Sequence, residues 1–586
     1  MKDEIKKFWK GDIDDSPEAL AKYSRDASMF AITPALVVYS RDAKDISELV
    51  KWANVAKRDY PNLSLTVRSA GTDMSGGPLN DSIIIDVTRY MNRIISINQT
   101  PPEALLPRFP GAAALETSGE GIAEVGCFYR DFETATLAKG LLLPAYTASK
   151  SINALGGMIG NNSGGELALR YGKTEDYVKE LSVVLSDGYE YSIRPLPRRE
   201  LMKVINEQSL LGNIYKGIYE LIEDHGAIIE SARPHVTKNS AGYYLWNVWS
   251  RGVTPDEDIF DLGKLFVGSQ GTLGIATKAT FRLVKNIVAP KLVVVFVNDY
   301  QNLGEIVSEI EQTKPLSFES YDDKTFKLAM KFFKDLVKSK GLWGTLKMGL
   351  SFLPEFFMVL RGGVPKLFLL VEYDGSVIPD LIRNPEPVLN SIQDPISKLR
   401  DICSKWNLRM HIVEDEREAE KYWAMRRDSF ALLRKHAEHM RTAPFIDDVI
   451  VPIEHMSTFL PELNALVAAY PSLIYTIAGH AGNGNFHIIP LVDPADPKLP
   501  EIVRVLSQDV YKLVVKYGGS ITAEHNDGLI RTPFLSYQYS PEIIKLFEQV
   551  KTIFDPASIF NPHKKVGCTL DYSLSHLQPS DTPHSS

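Results

Sequence analysis

LPAYTASKSINALGGMIGNNSGGELALRYGKTEDYV, residues 143–178, holds Gly156-Gly157, Asn161-Asn162 and Gly164-Gly165 within one span. That span is too long and too rich in small residues for a simple turn. It suits a backbone wrapped closely around a large planar ligand, because glycine lets main chain approach where a Cβ would not. Two other stretches share the character. RSAGTDMSGG (68–77) lies between the strand signals LSLTVRSAG and SIIIDVT, and its successive N–H groups can form an anion nest. KLFVGSQGTLGIATKATFRL (264–283) is a glycine turn running into a strand. RSAGTDMSGG does not match GxGxxG after a first strand or GxxxxGK[ST], so the Rossmann and P-loop readings are weak there.

Around these segments the chain reads as an ordinary globular protein. Its 586 residues are 44% apolar and 24% charged, enough for more than one domain and a large core. A formal net charge of -8 argues against nucleic acid as the main partner. Cys127, Cys403 and Cys568 are the three cysteines and lie far apart, so no CxxC, iron–sulfur or zinc-ribbon ligand set exists. The opening MKDEIKKFWKGDIDD is too charged for a signal peptide, and no apolar run is long enough to cross a bilayer. A cytoplasmic protein is the expectation.

The first half alternates strand and helix signals: ALVVYS (35–40) as a strand, then DISELVKWANVAK (45–57) as a helix capped by Asp45. KELSVVLSDGYEYSI reads as a hairpin turning at Asp187-Gly188. After Val284 longer strands appear, KLVVVFV (291–297) and KLFLLVEYDG (366–375), placing a domain boundary near 286. The polar end from Asp571 is expected to be disordered.

The second half carries the chemistry. IAGHAGNGNFHIIP (477–490) spaces His480 and His487 seven apart. Its glycines and asparagines oppose a helix, and on a continuous strand an odd spacing would put the two rings on opposite faces. If the rings meet, a glycine turn folds them together. GGSITAEHNDGLIRT (518–532) adds Glu524-His525 after a strand-like run. Two histidines and a carboxylate make a three-ligand set with open positions, as a catalytic divalent metal needs. Imidazole suits zinc, manganese or iron. KYWAMRRDSFALLRK (421–435) is helical in pattern and offers Arg426 and Arg427, about 100° apart on the helix, so one of them faces inward.

Together the three glycine-rich segments resemble the FAD-linked oxidases of the p-cresol methylhydroxylase type over roughly 30–567, on the branch of D-2-hydroxyacid dehydrogenases acting on D-lactate, D-2-hydroxyglutarate and glycolate. The resemblance implies an α+β fold: a two-subdomain FAD-binding domain over 1–285, and an α/β substrate or cap domain with an antiparallel sheet over 286–530. A C-terminal segment, 531–570, would return to the FAD domain, leaving 571–586 as the tail. It assigns Arg68, Ser69, Ala70, Gly71, Thr72, Asp73, Met74 and Ser75 to the pyrophosphate loop. Pro144, Ser149, Gly156, Gly157, Asn161, Asn162 and Gly164 would line the flavin and its phosphates. Gly274, Ile275 and Asn561 would supply further contacts. It also implies His480, His487 and Glu524 as metal ligands, zinc first among the metals, with His525 beside substrate and flavin and Arg426 on the substrate carboxylate. Relatives with covalent flavin often carry a histidine in the first loop; Thr72 stands there, so non-covalent FAD is expected. The reaction implied is oxidation of a D-2-hydroxyacid to the 2-oxoacid, with electrons passing to a quinone, cytochrome or electron-transfer protein. An oxygen-using oxidase, another alcohol-oxidising flavoenzyme of this fold and a non-catalytic flavin-binding subunit are the alternatives.

Several positions depart from the pattern. Ile446 stands where some relatives have a substrate lysine, with Arg441 as a compensating candidate; Asn526 follows His525 where glycine is usual; Asn483 and Gln270 replace acids. Finally, Lys324, Lys327, Lys331, Lys334 and Lys338 form one helical stripe. From 324 to 366 nine Lys or Arg face Asp335 and Glu355, a local charge of +7. Such a basic amphipathic stretch is either a solvated insertion or an anchor on the anionic inner face of a membrane.

Overall fold

The computed structural model describes residues 1–104, 116–252, 254–287, 289–331, 363–375, 394–436 and 440–578. The chain divides into two compact units. One comprises Met1–Gly165, Tyr171–Asn286 and Ile521–Ser586; the other comprises Glu166–Arg170 and Ile287–Ser520. The return to the first unit therefore comes at Ile521, ten residues before the 530/531 boundary expected from sequence, and it carries Glu524 and His525 into the first unit.

In the first unit the strands Leu36–Tyr39, Ile83–Asp86 and Leu65–Arg68 pair in parallel, with Asp12–Asp14 antiparallel at one edge. The residues Leu36 to Tyr39 and Ile83 to Asp86 are all buried, the uninterrupted apolar signature of strands covered on both faces. The helix Ala43–Ala56 turns Ile46, Leu49, Val50 and Ala53 inward. Its cap is Asp42, which accepts from Asp45 N at 3.0 Å, not Asp45. Asp45 is buried and instead accepts from Arg41 N. A second sheet of the same unit is antiparallel, in the order Ile94–Ala104, Glu116–Glu124, Ile275–Lys285, Val178–Val184, Glu190–Ile193. The hairpin between its last two strands turns at Gly188 with φ +77°, as expected.

The second unit is built on a seven-stranded antiparallel sheet, ordered Arg409–Ile412, Lys291–Val297, Leu367–Tyr373, Ser317–Asp322, Ile477–His480, Asn485–Ile488, Val449–Ile450. One face of it meets the helix Glu416–His436, where Tyr422 and Met425 join Val294, Tyr321, Phe326 and Phe368 in a buried cluster. Phe368 stacks on Tyr321 and Phe326 with centroids 4.7 and 4.9 Å apart, contacts worth about 0.5–1.5 kcal/mol each beyond area burial.

Two sequence expectations fail in detail. The run before Glu524 is not a strand: Ser520 makes one bridge to Ile450, and from there the chain is irregular. The end of the chain is not disordered from 571. Thr569 caps a helix, Leu570–Ser575, and Leu577 bridges to Phe30. The basic stripe is seen only in its first turns, the helix Asp323–Lys331; residues 332–362 lie outside the described part. No helix among the described residues is long and apolar enough to cross a membrane.

Candidate functional site

In the first unit the loop after Leu65–Arg68 is organised by one carboxylate. Asp73 accepts from Ser75 N at 3.0 Å, Ser75 Oγ at 2.9 Å, Gly77 N at 2.7 Å and Asn161 Nδ2 at 2.6 Å. That ties the first glycine segment to the second. Gly71 and Gly76 both have positive φ, +71° and +83°, and a Cβ on Gly71 would sit 2.3 Å from Arg68 Nη2. Arg68 itself turns inward: its guanidinium donates to the carbonyls of Tyr23 and Arg25 and lies over the Tyr23 ring. It holds the loop's base. Ser69 keeps a buried hydroxyl with no hydrogen-bond partner, and a Cβ on Gly157 would meet nothing nearer than Ser69 Cβ at 3.9 Å. A buried hydroxyl without a partner beside a glycine cradle suits a phosphate-bearing ligand, since buried polar groups in folded proteins are usually satisfied. The residues present therefore fit the dinucleotide that the resemblance implies.

The departures at 270 and 526 belong to this same network. Gln270 Nε2 donates to Ser75 Oγ and Asn161 Oδ1, and its Oε1 accepts from Gly528 N. Asn526 adopts φ +68°, the left-handed conformation asparagine tolerates, and donates to Gly268 O at 2.8 Å and Asn161 O at 3.2 Å. Asn561 closes the network, donating to Gly77 O and Gln270 O while accepting from Thr66 Oγ1. Asn162 ends the helix Leu155–Asn161 in the left-handed region and accepts from Glu175 N. Gly274, with φ +155°, starts Ile275–Lys285 where a Cβ would meet Val184 O at 3.0 Å. Pro144 and Gly164 are buried, Ser149 shares a 2.8 Å hydrogen bond with Thr147, and Ala70, Thr72 and Met74 fill the rest of the first loop.

The segment 521–527 is held by three buried lysines. Lys173 Nζ donates to Asn239 O, Ser240 Oγ and Ala523 O; Lys565 Nζ donates to Ser240 O, Gly242 O and Asp527 Oδ2. Lys238 forms an ion pair with Glu524, the two side chains only 2% and 5% exposed. His525, half-buried, presents a ring nitrogen within 4.8 Å of a Glu524 carboxylate oxygen.

In the second unit the seven-residue spacing resolves as a hairpin. Ile477–His480 runs into a tight turn at Gly484 (φ +69°), and the chain returns as Asn485–Ile488 with Ala478 opposite His487 and His480 opposite Asn485. Residue 487 thus falls on the same face as 478 and 480. The two imidazoles meet edge to face, with centroids 5.2 Å apart. Each directs its Nδ1 at a buried carboxylate: His480 at Glu319 Oε1, 2.6 Å, and His487 at Asp447 Oδ1, 3.3 Å. A carboxylate on Nδ1 selects the Nδ1–H tautomer and leaves Nε2 as the lone-pair nitrogen, the arrangement found behind metal-bound histidines. Asp448, also buried, carries a carboxylate oxygen within 4.8 Å of a His487 ring nitrogen and accepts from Asn485 Nδ2. This chemistry fits a divalent cation.

The helix Glu416–His436 settles which arginine turns inward. Arg426 follows the core residue Tyr422 by four positions and is 9% exposed; Arg427 is 42% exposed and bonds both oxygens of Glu166 at 2.6 Å. Arg426 pairs with Glu319, and its buried Nε has no hydrogen-bond partner. Nearby Glu372 is pushed up to about 7, first by burial and then by Glu166. Ile446 is fully buried, and Arg441 opens the short strand Arg441–Thr442.

Glu319, Asp447, Asp448 and Lys238 were not singled out from sequence. A signal existed for the first three: acids inside the apolar runs SFESYD and PFIDDVIVP.

Residues 34–193 match the FAD binding domain model and 289–565 match the model of FAD linked oxidases, C-terminal domain. The chain is 27% identical over 541 residues to a D-2-hydroxyglutarate dehydrogenase of Escherichia coli, covering 92% of this chain and 49% of that protein. It is 25% identical to glycolate oxidase subunit GlcD of Bacillus subtilis, covering 94% and 93%. Its identity to a D-lactate dehydrogenase of Anaerostipes hadrus is 24%, covering 91% and 89%. The chain spans about half the length of the bacterial D-2-hydroxyglutarate dehydrogenase first compared. Among solved structures, p-cresol methylhydroxylase superposes with a TM-score of 0.60 at 15% identity, covering 95% and 94% of the two chains. Alkyldihydroxyacetonephosphate synthase superposes with 0.61 at 14%, covering 96% and 84%.

Proposed function

The chain belongs to the FAD-linked oxidases, and from that premise we propose that it is an FAD-dependent dehydrogenase converting a D-2-hydroxyacid to the 2-oxoacid with the help of a divalent metal. The observation that carries the reading is the pair of imidazoles on one sheet face, each with Nδ1 on a buried carboxylate, on the same face as an inward arginine.

In this reading the loop 68–75, together with Gly156, Gly157, Asn161, Asn162, Gly164, Gly274, Ile275 and Asn561, holds non-covalent FAD. His480, His487 and Glu524 hold the metal, zinc in the first instance. When bound, the flavin accepts the C2 hydride and the metal lowers the pKa of the substrate hydroxyl. The rest is done by side chains. Arg426 receives the substrate carboxylate through the donors that Glu319 does not use, a guanidinium fork being able to take a carboxylate bidentately. His525, neutral, accepts the hydroxyl proton as the C2–H bond is lost, a role worth about 10²–10⁴-fold in rate. The electron acceptor is proposed to be a quinone, a cytochrome or an electron-transfer protein.

The test is an anaerobic screen of D- and L-2-hydroxyacids against the flavin's visible absorbance. D-acids should bleach it and their L-enantiomers should not. Failure of every D-acid with metal present overturns the proposal.

A further inference from the structure

In the second unit Glu319 meets both His480 and Arg426. It lies in Ser317–Asp322, a strand whose six residues are all buried. The register places Ser320 opposite Gly479 and Tyr321 opposite Ala478, so Glu319 falls opposite His480 on the adjoining strand. One oxygen meets His480 Nδ1 at 2.6 Å; the other pairs with Arg426 from the helix packed over the same face. Glu319 is 1% exposed, so its charge is not dispersed into water.

Three consequences follow from chemistry alone. A carboxylate on Nδ1 fixes the tautomer and the ring plane of His480, and it makes the opposite nitrogen a better donor to a cation. The same carboxylate offsets part of the desolvation that penalises a buried guanidinium. And by engaging one amino group of Arg426 it fixes the plane of the fork, while the buried Nε stays without a partner, so the arginine is oriented but not saturated. Replacing Glu319 by a neutral residue therefore disturbs a metal-facing imidazole and an anion-facing guanidinium together, although the acid itself need touch neither ligand.

Resting on the proposed function above, we propose that Glu319 is a positioning residue: it holds His480 in the tautomer that binds the metal and aims Arg426 at the substrate carboxylate, linking the two ligand sites through one side chain.

The experiment is a Zn²⁺ titration of the FAD-loaded protein in competition with a chromophoric chelator, for wild type, E319Q and E319Q/R426M. The double variant removes the arginine that E319Q would leave unpaired and so separates metal affinity from folding. Both variants should bind Zn²⁺ about 10–100-fold more weakly than wild type while retaining FAD. In E319Q the KM for a bleaching 2-hydroxyacid should rise as well, because the arginine loses its anchor. Wild type and both variants binding Zn²⁺ equally overturns the inference and leaves the metal reading standing. A wild type that binds no Zn²⁺ overturns the metal reading itself, and the His480 half of this inference with it.

Discussion

Lys238→Met tests how the buried carboxylate of Glu524 is balanced. The two side chains are 2% and 5% exposed, so neither charge has water to fall back on. Removing one partner of such a pair leaves the other uncompensated, at a cost of about 3–5 kcal/mol. At about 2 °C per kcal/mol for a domain of this size, K238M should melt on the order of 6–10 °C below wild type. If Glu524 is a metal ligand, the lost ammonium and the cation share an oxygen, and a divalent ion can supply the missing charge. Zn²⁺ at about one hundred times its dissociation constant contributes about 2.7 kcal/mol to any state that binds it. K238M should therefore recover most of its deficit with Zn²⁺, and gain more from it than wild type, where the lysine competes. Differential scanning fluorimetry with and without Zn²⁺, at matched ionic strength, reads both quantities. A variant that melts like wild type refutes the burial argument. A variant that melts low and gains no more from Zn²⁺ than wild type refutes the placement of Glu524 on the metal.

Other outcomes follow from the same structure. Gly484→Ala should destabilise the His480/His487 hairpin by about 2 kcal/mol or more, because its φ is +69° and the new Cβ would lie 2.0 Å from Val451 O; Zn²⁺ affinity and melting temperature should fall together. Asn526→Gly, although glycine suits φ +68°, should cost about 1–3 kcal/mol by deleting the hydrogen bonds to Gly268 O and Asn161 O, read as weaker FAD retention on dilution. Glu372 is raised from 4.5 to about 7, so the folded state holds a proton that the unfolded state releases. Its contribution to stability is present below pH 4.5 and lost as pH rises through 7, and E372Q should flatten the decline of denaturation midpoints across that window. Acid precipitation should release the yellow chromophore into the supernatant, since Thr72 offers no covalent attachment; chromophore remaining on the pellet contradicts that.

How much of this was legible beforehand varies with how local the signal is. The strands Leu36–Tyr39 and Lys291–Val297, the Gly188 hairpin and the Glu416–His436 helix were readable because each is decided by a few adjacent residues. The meeting of His480 and His487 was readable only as a condition, since strand parity forbids it unless a turn intervenes; Gly484 supplies the turn. Glu319 was not readable as a partner, because what gives it meaning is a histidine 161 residues away and an arginine on another element. The helix cap went to Asp42 and not Asp45, a choice between two acids three apart that only the first turn's geometry makes. The irregular path of 521–527 could not be foreseen: SITA has strand-like residues, yet lysines from three other segments satisfy this stretch in place of a neighbouring strand.

The proposed reaction depends most on a cation held by the two imidazoles and acting on the substrate hydroxyl. The direct measurement is the anaerobic rate of flavin reduction by a D-2-hydroxyacid as a function of metal occupancy, from chelated protein through stepwise Zn²⁺ addition. The rate should climb in proportion to occupancy and collapse again in H487A, whose FAD content is unchanged. A rate that ignores both the chelator and the loss of His487 contradicts the central claim.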